Sequence, residues 1–299
     1  MTFLGSNGCV FNLDNLEKVE APGVRETVPF MGEPGGLKTD YQMPGTVILC
    51  GETLPLELPS VRERLEAEFL LAVSHPAQVG LWQRRAKRYF PAIEAALKAS
   101  GLPDDLKYLA VAESDLRPGV FSPAGAAGIW QFIPSTARRY GLKVNRQEDQ
   151  RLLPENVLQA GIKYLGGLRQ NFGNWALAMA AYNAGEARIA KAISAQGFRD
   201  YYQLRLPRET ERYVYRIAAI KLVLAGASNL GLADTTPRNL YRPLNFRETS
   251  ETFETPQTWV KLAEKYKCDY KTLRFLNPHL AHQETLSGGP YLFRTPGKI

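Results

Sequence analysis

Cysteine is scarce in this chain: Cys9, Cys50 and Cys268 are the three in 299 residues, odd in number and widely separated. Spacing of that kind matches neither a zinc site nor a disulfide framework, so one bridge is the most the sequence allows. Long apolar runs are missing as well. No window approaches the roughly 20 uninterrupted apolar residues of a membrane helix, and Met1 to Val10 lack a positive segment followed by an apolar one. No self-similarity of solenoid period is visible. What remains is an ordinary soluble globular mixture, 44% hydrophobic and 22% charged, long enough to bury more than one core. The formal charge of +7 suits a polyanionic partner, whether nucleic acid, anionic lipid or an acidic cell-wall polymer. An excess of Lys and Arg is also what a solubilising surface has, so charge alone assigns nothing.

Four segments follow from composition and periodicity. Residues 1–58 are rich in Gly and Pro with short β-prone pieces such as Thr46-Val47-Ile48-Leu49, and read as an extended N-terminal arm. Residues 59–230 read as a helical domain. Ser60 with Glu63 forms a capping-box pattern ahead of Val61, Leu65 and Phe69 at helical spacing. A second helix, Gln78 to Ser100, carries Pro91 and is expected to kink or break there. Further helices are expected over Pro103 to Ser114, Ser135 to Tyr140, Val157 to Phe172, Trp175 to Asn183 with Asn174 as N-cap, and Pro207 to Leu224. Residues 231–245 read as a Pro- and Arg-bearing linker, and residues 246–299 as a small α+β module with helices at Thr258 to Tyr266 and Tyr270 to Leu276 and a strand at Tyr291 to Phe293. The fold class is mainly α.

The chemistry centres on Glu113. It follows the nearly all-apolar turn Leu106-Lys107-Tyr108-Leu109-Ala110-Val111-Ala112, and Pro118-Gly119 ends the helix soon after. Desolvation raises the pKa of a carboxyl placed there, and the negative end of the helix dipole pushes the same way. A carboxyl kept protonated near neutral pH is what general acid catalysis on a glycosidic oxygen requires. A Glu that simply turns outward to water is the ordinary alternative. The run Ser122-Pro-Ala-Gly-Ala-Ala-Gly-Ile-Trp-Gln131 offers small residues for close approach, Trp130 as a flat face for a sugar, and Gln131 as donor and acceptor; alone it is a flexible loop before a buried Trp. Tyr182 and Asn183 sit at a helix end and either project into a cleft or serve as a core Tyr and a C-capping Asn. Glu209 and Tyr213, at i and i+4, share one helix face.

Taken in order, these elements resemble the goose-type-lysozyme-like (SLT) lytic transglycosylases, with the membrane-bound D-type branch nearest in pattern. The matching pieces are Ala112-Glu113-Ser114, Gly125 to Thr136, Ala180-Ala-Tyr-Asn-Ala-Gly185, and Leu206-Pro-Arg-Glu-Thr210 with Tyr213-Val214. The resemblance implies a lysozyme-like helical catalytic domain acting on peptidoglycan without cofactor or metal. It implies Glu113 as the single acid/base and Tyr213 as its hydrogen-bonded support. Ser122, Gln131, Trp130, Tyr182 and Asn183 are then expected to line the glycan groove, and Glu209 to belong to its supporting layer. The expected product is a 1,6-anhydromuramoyl end; a goose-type hydrolase cutting the same bond, or a non-catalytic wall-binding protein, are the alternatives. The terminal module is similar to a degenerate LysM domain whose opening strand departs from that pattern, and reads either as a second contact for glycan or as a structural cap on the catalytic domain. No nucleic acid and no transmembrane segment are expected of a chain of this kind. The expectation is a monomer of the periplasm or cell envelope, with an export signal lying outside this sequence and an outer-membrane anchor left open.

Overall fold

The computed structural model describes residues 41–232, 240–280 and 283–297. The expected arm therefore lies outside the described residues up to position 40. Its remainder forms a tight hairpin, β1 (Ile48–Leu49) against β2 (Glu52–Thr53), closed by Cys50 and Gly51 at positive φ. The hairpin is fastened to the helices. The Cys50 amide and Lys221 Nζ both donate to Asp105 Oδ2, at 2.7 and 2.8 Å, and the Glu52 carboxylate accepts the Trp175 amide at 2.9 Å.

Helices dominate the rest, in line with the mainly α fold expected from periodicity. They are α1 (Pro59–Val73), α2 (Pro76–Ala99), α3 (Lys107–Ser114), α4 (Pro134–Arg139), α5 (Pro154–Phe172), α6 (Trp175–Ala184), α7 (Glu186–Gln196) and α8 (Arg208–Ala225). Two local expectations need correction. The first helix starts with Pro59 at its first position and no side-chain cap, so Ser60 lies inside the helix and the capping box does not form. Pro91 does not break α2, which runs unbroken through it. Both Pro91 and Lys87, whose carbonyl loses its partner, are exposed, so water satisfies the orphan acceptor, while Ile93 and Leu97 beyond the proline stay buried. Helix α7 was not singled out in the sequence; it begins directly at Gly185, where φ of +89 turns the chain out of α6.

The core gathers around α3. Tyr108 to Ala112 are all buried; α8 and α2 pack on this short helix, and α1 and α6 pack in turn on α8. Asn174 caps α6 by accepting the Leu177 amide at 2.8 Å. After the helices, Arg88 Nε donates to the Arg242 carbonyl and the Tyr241 amide to the Arg84 carbonyl, which ties residues 241 and 242 to α2. The chain ends in β3 (Phe246–Thr258), α9 (Trp259–Lys265), α10 (Tyr270–Leu276) and β4 (Thr285–Pro296), with β3 and β4 antiparallel around a core of Phe253, Trp259, Leu262, Leu273 and Phe293. Asn277, fully buried, closes this unit by donating to the Leu273 and Arg294 carbonyls and accepting the Arg294 amide. The unit docks on the helical region where the Asp149 amide donates to the His279 carbonyl and Arg294 pairs with Glu155, at 2.8 Å each.

Candidate active site

Helix α3 ends one residue after Glu113 because Asp115 and Leu116 both take the left-handed conformation, with φ of 54 and 58. Non-glycine residues adopt it only when held there. Trp82 Nε1 donates to Asp115 Oδ1 at 2.8 Å, and Arg85 donates to the Asp115 carbonyl at 3.1 Å. Ser114, buried, hands its hydroxyl to the Ile129 carbonyl at 2.9 Å and so ties the helix end to the glycine-containing loop. That loop needs its glycine: at Gly128, φ +82, a Cβ would stand 1.9 Å from the Arg151 carbonyl.

These constraints put Glu113 half-buried in a cleft of about 850 Å³, lined on different sides by the 122–136 loop, the end of α6, one face of α8, and the α1–α2 corner. Ala112, Phe132, Ala219 and Ile220 supply apolar parts of the cleft wall. Burial pushes the pKa of Glu113 up to about 7; the Tyr213 hydroxyl and the Arg216 charge pull it down, and Glu209 adds to the rise. The Tyr213 hydroxyl, buried on α8, donates to Glu113 Oε1. Its own pKa is raised by burial and then by the neighbouring carboxyl, so it stays a donor. One oxygen of the carboxyl is thus held, and Oε2 is left to carry a proton.

The other residues singled out in the sequence divide. Ser122, Gln131, Tyr182, Asn183 and Glu209 line the same cleft. Ser122 Oγ accepts the Ala126 amide at 3.0 Å, and Gln131 spends its amide on the Val120 and Gly128 carbonyls. The Tyr182 hydroxyl donates to the Trp130 carbonyl at 2.6 Å. Asn183 accepts from Thr210 Oγ1 at 2.8 Å and donates to exposed Glu209 at 3.3 Å, joining α6 to the start of α8. Trp130 is a correction. Its ring is 0% exposed and lies against Gly161, where even a Cβ would come within 3.2 Å of it. It therefore offers no face to a sugar and supports the cleft from behind, through the carbonyl that Tyr182 bonds.

Residues 90–204 match the family model described as the transglycosylase SLT domain. Over that span the chain is similar to an SLT domain. It is 36% identical over 190 residues to membrane-bound lytic murein transglycosylase D of Escherichia coli K12, an alignment covering 61% of this chain and 41% of that protein. It is 38% identical over 99 residues to the peptidoglycan transglycosylase gp16 of phage T7, covering 32% of this chain and 8% of that one. The chain thus spans well under half the length of these relatives. Among solved structures, the 70 kDa soluble lytic transglycosylase of Escherichia coli superposes with a TM-score of 0.41 at 23% identity, over 61% of this chain and 32% of that one.

The SLT match contains Glu113, Ser122, Trp130, Gln131, Tyr182 and Asn183, but it stops before α8, which supplies Glu209 and Tyr213. Sequence reasoning missed several residues of the cleft wall: Glu68, His75, Gln78 and Trp82 from α1 and α2, and Arg212 and Arg216 from α8. The two arginines were readable, since Glu209, Arg212, Tyr213, Arg216 and Ile220 continue one helical stripe. The α1–α2 residues carry no such signal, because the packing of α1 on α8 and of α2 on α3 and α8 brings them to the site.

Proposed function

We propose that this protein is a peptidoglycan lytic transglycosylase that cuts the β-1,4 bond between N-acetylmuramic acid and N-acetylglucosamine with Glu113 as its single acid/base. The observation that carries the reading is the Glu113 carboxyl, pushed up to about 7 by burial, anchored through one oxygen by Tyr213 and open to a cleft large enough for several sugar rings. The SLT match and the names of the relatives support the substrate class. Near neutral pH a carboxyl of this kind holds a proton in a large share of molecules and can also take one back. Glu113 gives its proton to the bridging oxygen, and the C1–O bond of the muramyl sugar breaks as the N-acetylglucosamine hydroxyl leaves. The positive charge at C1 is captured by the C6 hydroxyl oxygen of the same sugar, whose proton passes to the Glu113 carboxylate. No water is consumed and the acid is restored, leaving a 1,6-anhydromuramoyl end.

The other acids of the cleft are engaged elsewhere: Glu68 pairs with Arg212, Asp115 accepts from Trp82, and Glu209 accepts from Asn183. A scheme with one carboxyl accounts for this better than one with two, which needs a second free acid across the bond. Ser122, Gln131, Tyr182 and Asn183 are assigned to positioning the glycan, with Glu209 supporting them. We assign the β3–α9–α10–β4 unit to a LysM-like second contact with glycan, which its strand, helix, helix, strand order supports. We assign the protein's work to the periplasm or cell envelope, where that substrate lies, and propose that it acts as a monomer; no helix among the described residues is long and apolar enough to cross a membrane.

The test is mass spectrometry of digested peptidoglycan, wild type against Glu113→Gln. Wild type is expected to release anhydro ends, and the variant to lose them by about 10²- to 10⁴-fold. Products one water heavier identify a hydrolase instead, and undiminished release by the variant removes Glu113 from its role.

A further inference from the structure

A second pocket, of about 300 Å³, shares no lining residue with the cleft. Its walls come from α2, from Ile129 and Trp130, from the start of α5, and from the terminal unit with the segment that leads to it. Most of them are apolar. Two of the lining residues, Phe275 and Leu244, are large apolar side chains left 59% and 36% exposed. Exposed apolar residues around a concave wall mark interaction sites, and ligand pockets form preferentially where two structural units meet. The volume is about twice the 150 Å³ that takes up a benzene, which gives room for about twelve carbon atoms. The charges around the pocket are divided. Arg294 is shared by two acids, Glu155 and Glu248, at 2.8 and 2.7 Å. Arg88, which also lines the pocket, has only neutral partners among the described residues. Its Nε donates to the Arg242 carbonyl at 2.8 Å, and its guanidinium lies 5.2 and 6.0 Å from the Tyr241 and Tyr89 rings. Arg242, tied to α2 by that bond, is itself exposed and makes no ion pair among the described residues.

We infer that this pocket binds a single-chain amphiphile of the alkyl carboxylate class, its tail against Ile129 and Trp130 and its anionic head on Arg88. Both halves of such a molecule are answered by the walls. The tail gains by leaving water for an apolar surface, and the head meets a guanidinium that no acid neutralises. A neutral apolar molecule leaves that cation unanswered, and a cationic one is repelled by it. Glycan, polar all round, has no match in these walls. The site is thus separate from bond cleavage and does not depend on the activity proposed above. It reaches the cleft through the backbone alone. The Ile129 and Trp130 carbonyls accept the Ser114 and Tyr182 hydroxyls at 2.9 and 2.6 Å, so a tail packed on these two residues braces the loop that carries Gln131.

The test is titration calorimetry of the full chain with decanoate, kept below its micelle-forming concentration. Wild type is expected to bind it at a single site. Arg88→Gln is expected to weaken binding about tenfold, the scale of one hydrogen bond to a charged group, with Arg88→Lys recovering most of the loss. Ala92→Trp, at an exposed position of α2 that lines the pocket, puts an indole where the tail lies and is expected to abolish binding. Decyltrimethylammonium, with the same tail and a cationic head, is expected to bind more weakly than decanoate, and acetate, a head without a tail, not to compete with it. Saturating decanoate is also expected to raise the melting temperature of wild type and to leave Ala92→Trp unmoved. Equal binding of the anionic and cationic amphiphiles, decanoate binding that survives both Arg88→Gln and Ala92→Trp, or no binding overturns the inference. Capture of wild type by phosphatidylglycerol vesicles without binding of monomeric decanoate overturns it too, and assigns the exposed apolar residues to a membrane surface. Every readout is binding, so the outcome does not turn on whether the chain cuts glycan.

Discussion

Two acids near the glycine-containing loop, Asp149 buried and Glu113 half-buried, are treated in opposite ways. Asp149, 4% exposed, has every need met: Arg151 donates to both of its oxygens, at 2.9 and 2.7 Å, and Arg151 in turn donates to the Gly125 and Phe132 carbonyls. Glu113 lines the cleft with one neutral phenol as its hydrogen-bond partner, and burial disfavours its charge. The first acid spends its charge on holding the loop in place. The second is denied a cation in contact, so its charge stays unfavourable and its proton stays available. Structural and chemical work by the same functional group thus differ in whether the fold completes its hydrogen bonds.

Breaking the satisfied acid has the largest expected effect on the fold. Arg151→Leu leaves Asp149 buried without its cation and frees two loop carbonyls, and a loss of about 3–5 kcal/mol is expected in denaturant unfolding. A variant as stable as wild type erases the contrast drawn between the two acids.

The unsatisfied acid predicts the opposite sign. Its folded pKa of about 7 lies above the ordinary 4.5, so the folded state binds the extra proton between those values and stability falls as pH rises through that window. Glu113→Gln carries no such charge. It is expected to melt with wild type at pH 4 and to gain as pH approaches 8; the full displacement corresponds to about 3 kcal/mol, and solvent reaching the carboxyl from the cleft reduces this to about 1–2 kcal/mol. Melting curves that stay parallel from pH 4 to 8 refute the displaced pKa. Tyr213→Phe sharpens the comparison with the smallest change. It removes the hydrogen bond that lowers the Glu113 pKa, so the high-pH limb of activity moves up while turnover drops roughly three- to tenfold, about 1 kcal/mol. A pH profile that moves down contradicts the direction of that hydrogen bond.

Much of this was legible from residues alone where the signal is local. The apolar turn before Glu113, Asn174 as a cap and the α10 boundaries rest on interactions within a few positions of the chain. Trp130 shows where local reading stops. A Trp beside small residues suits a sugar platform and a core filler equally, and the choice was made by Gly161 on α5, thirty-one positions away, which leaves room for the ring inside. Pro91 is the same lesson in reverse, since whether a proline breaks a helix depends on which side of that helix meets water.

By itself, then, the order of residues determined a mainly helical chain and a carboxyl at the end of an apolar helix, because periodicity and desolvation act over one or two turns. Which groups face that carboxyl was decided by tertiary packing. Tyr213 and Arg216 arrive from a helix a hundred positions later. Contacts of that range are set by how helices fit together, and no local pattern encodes them.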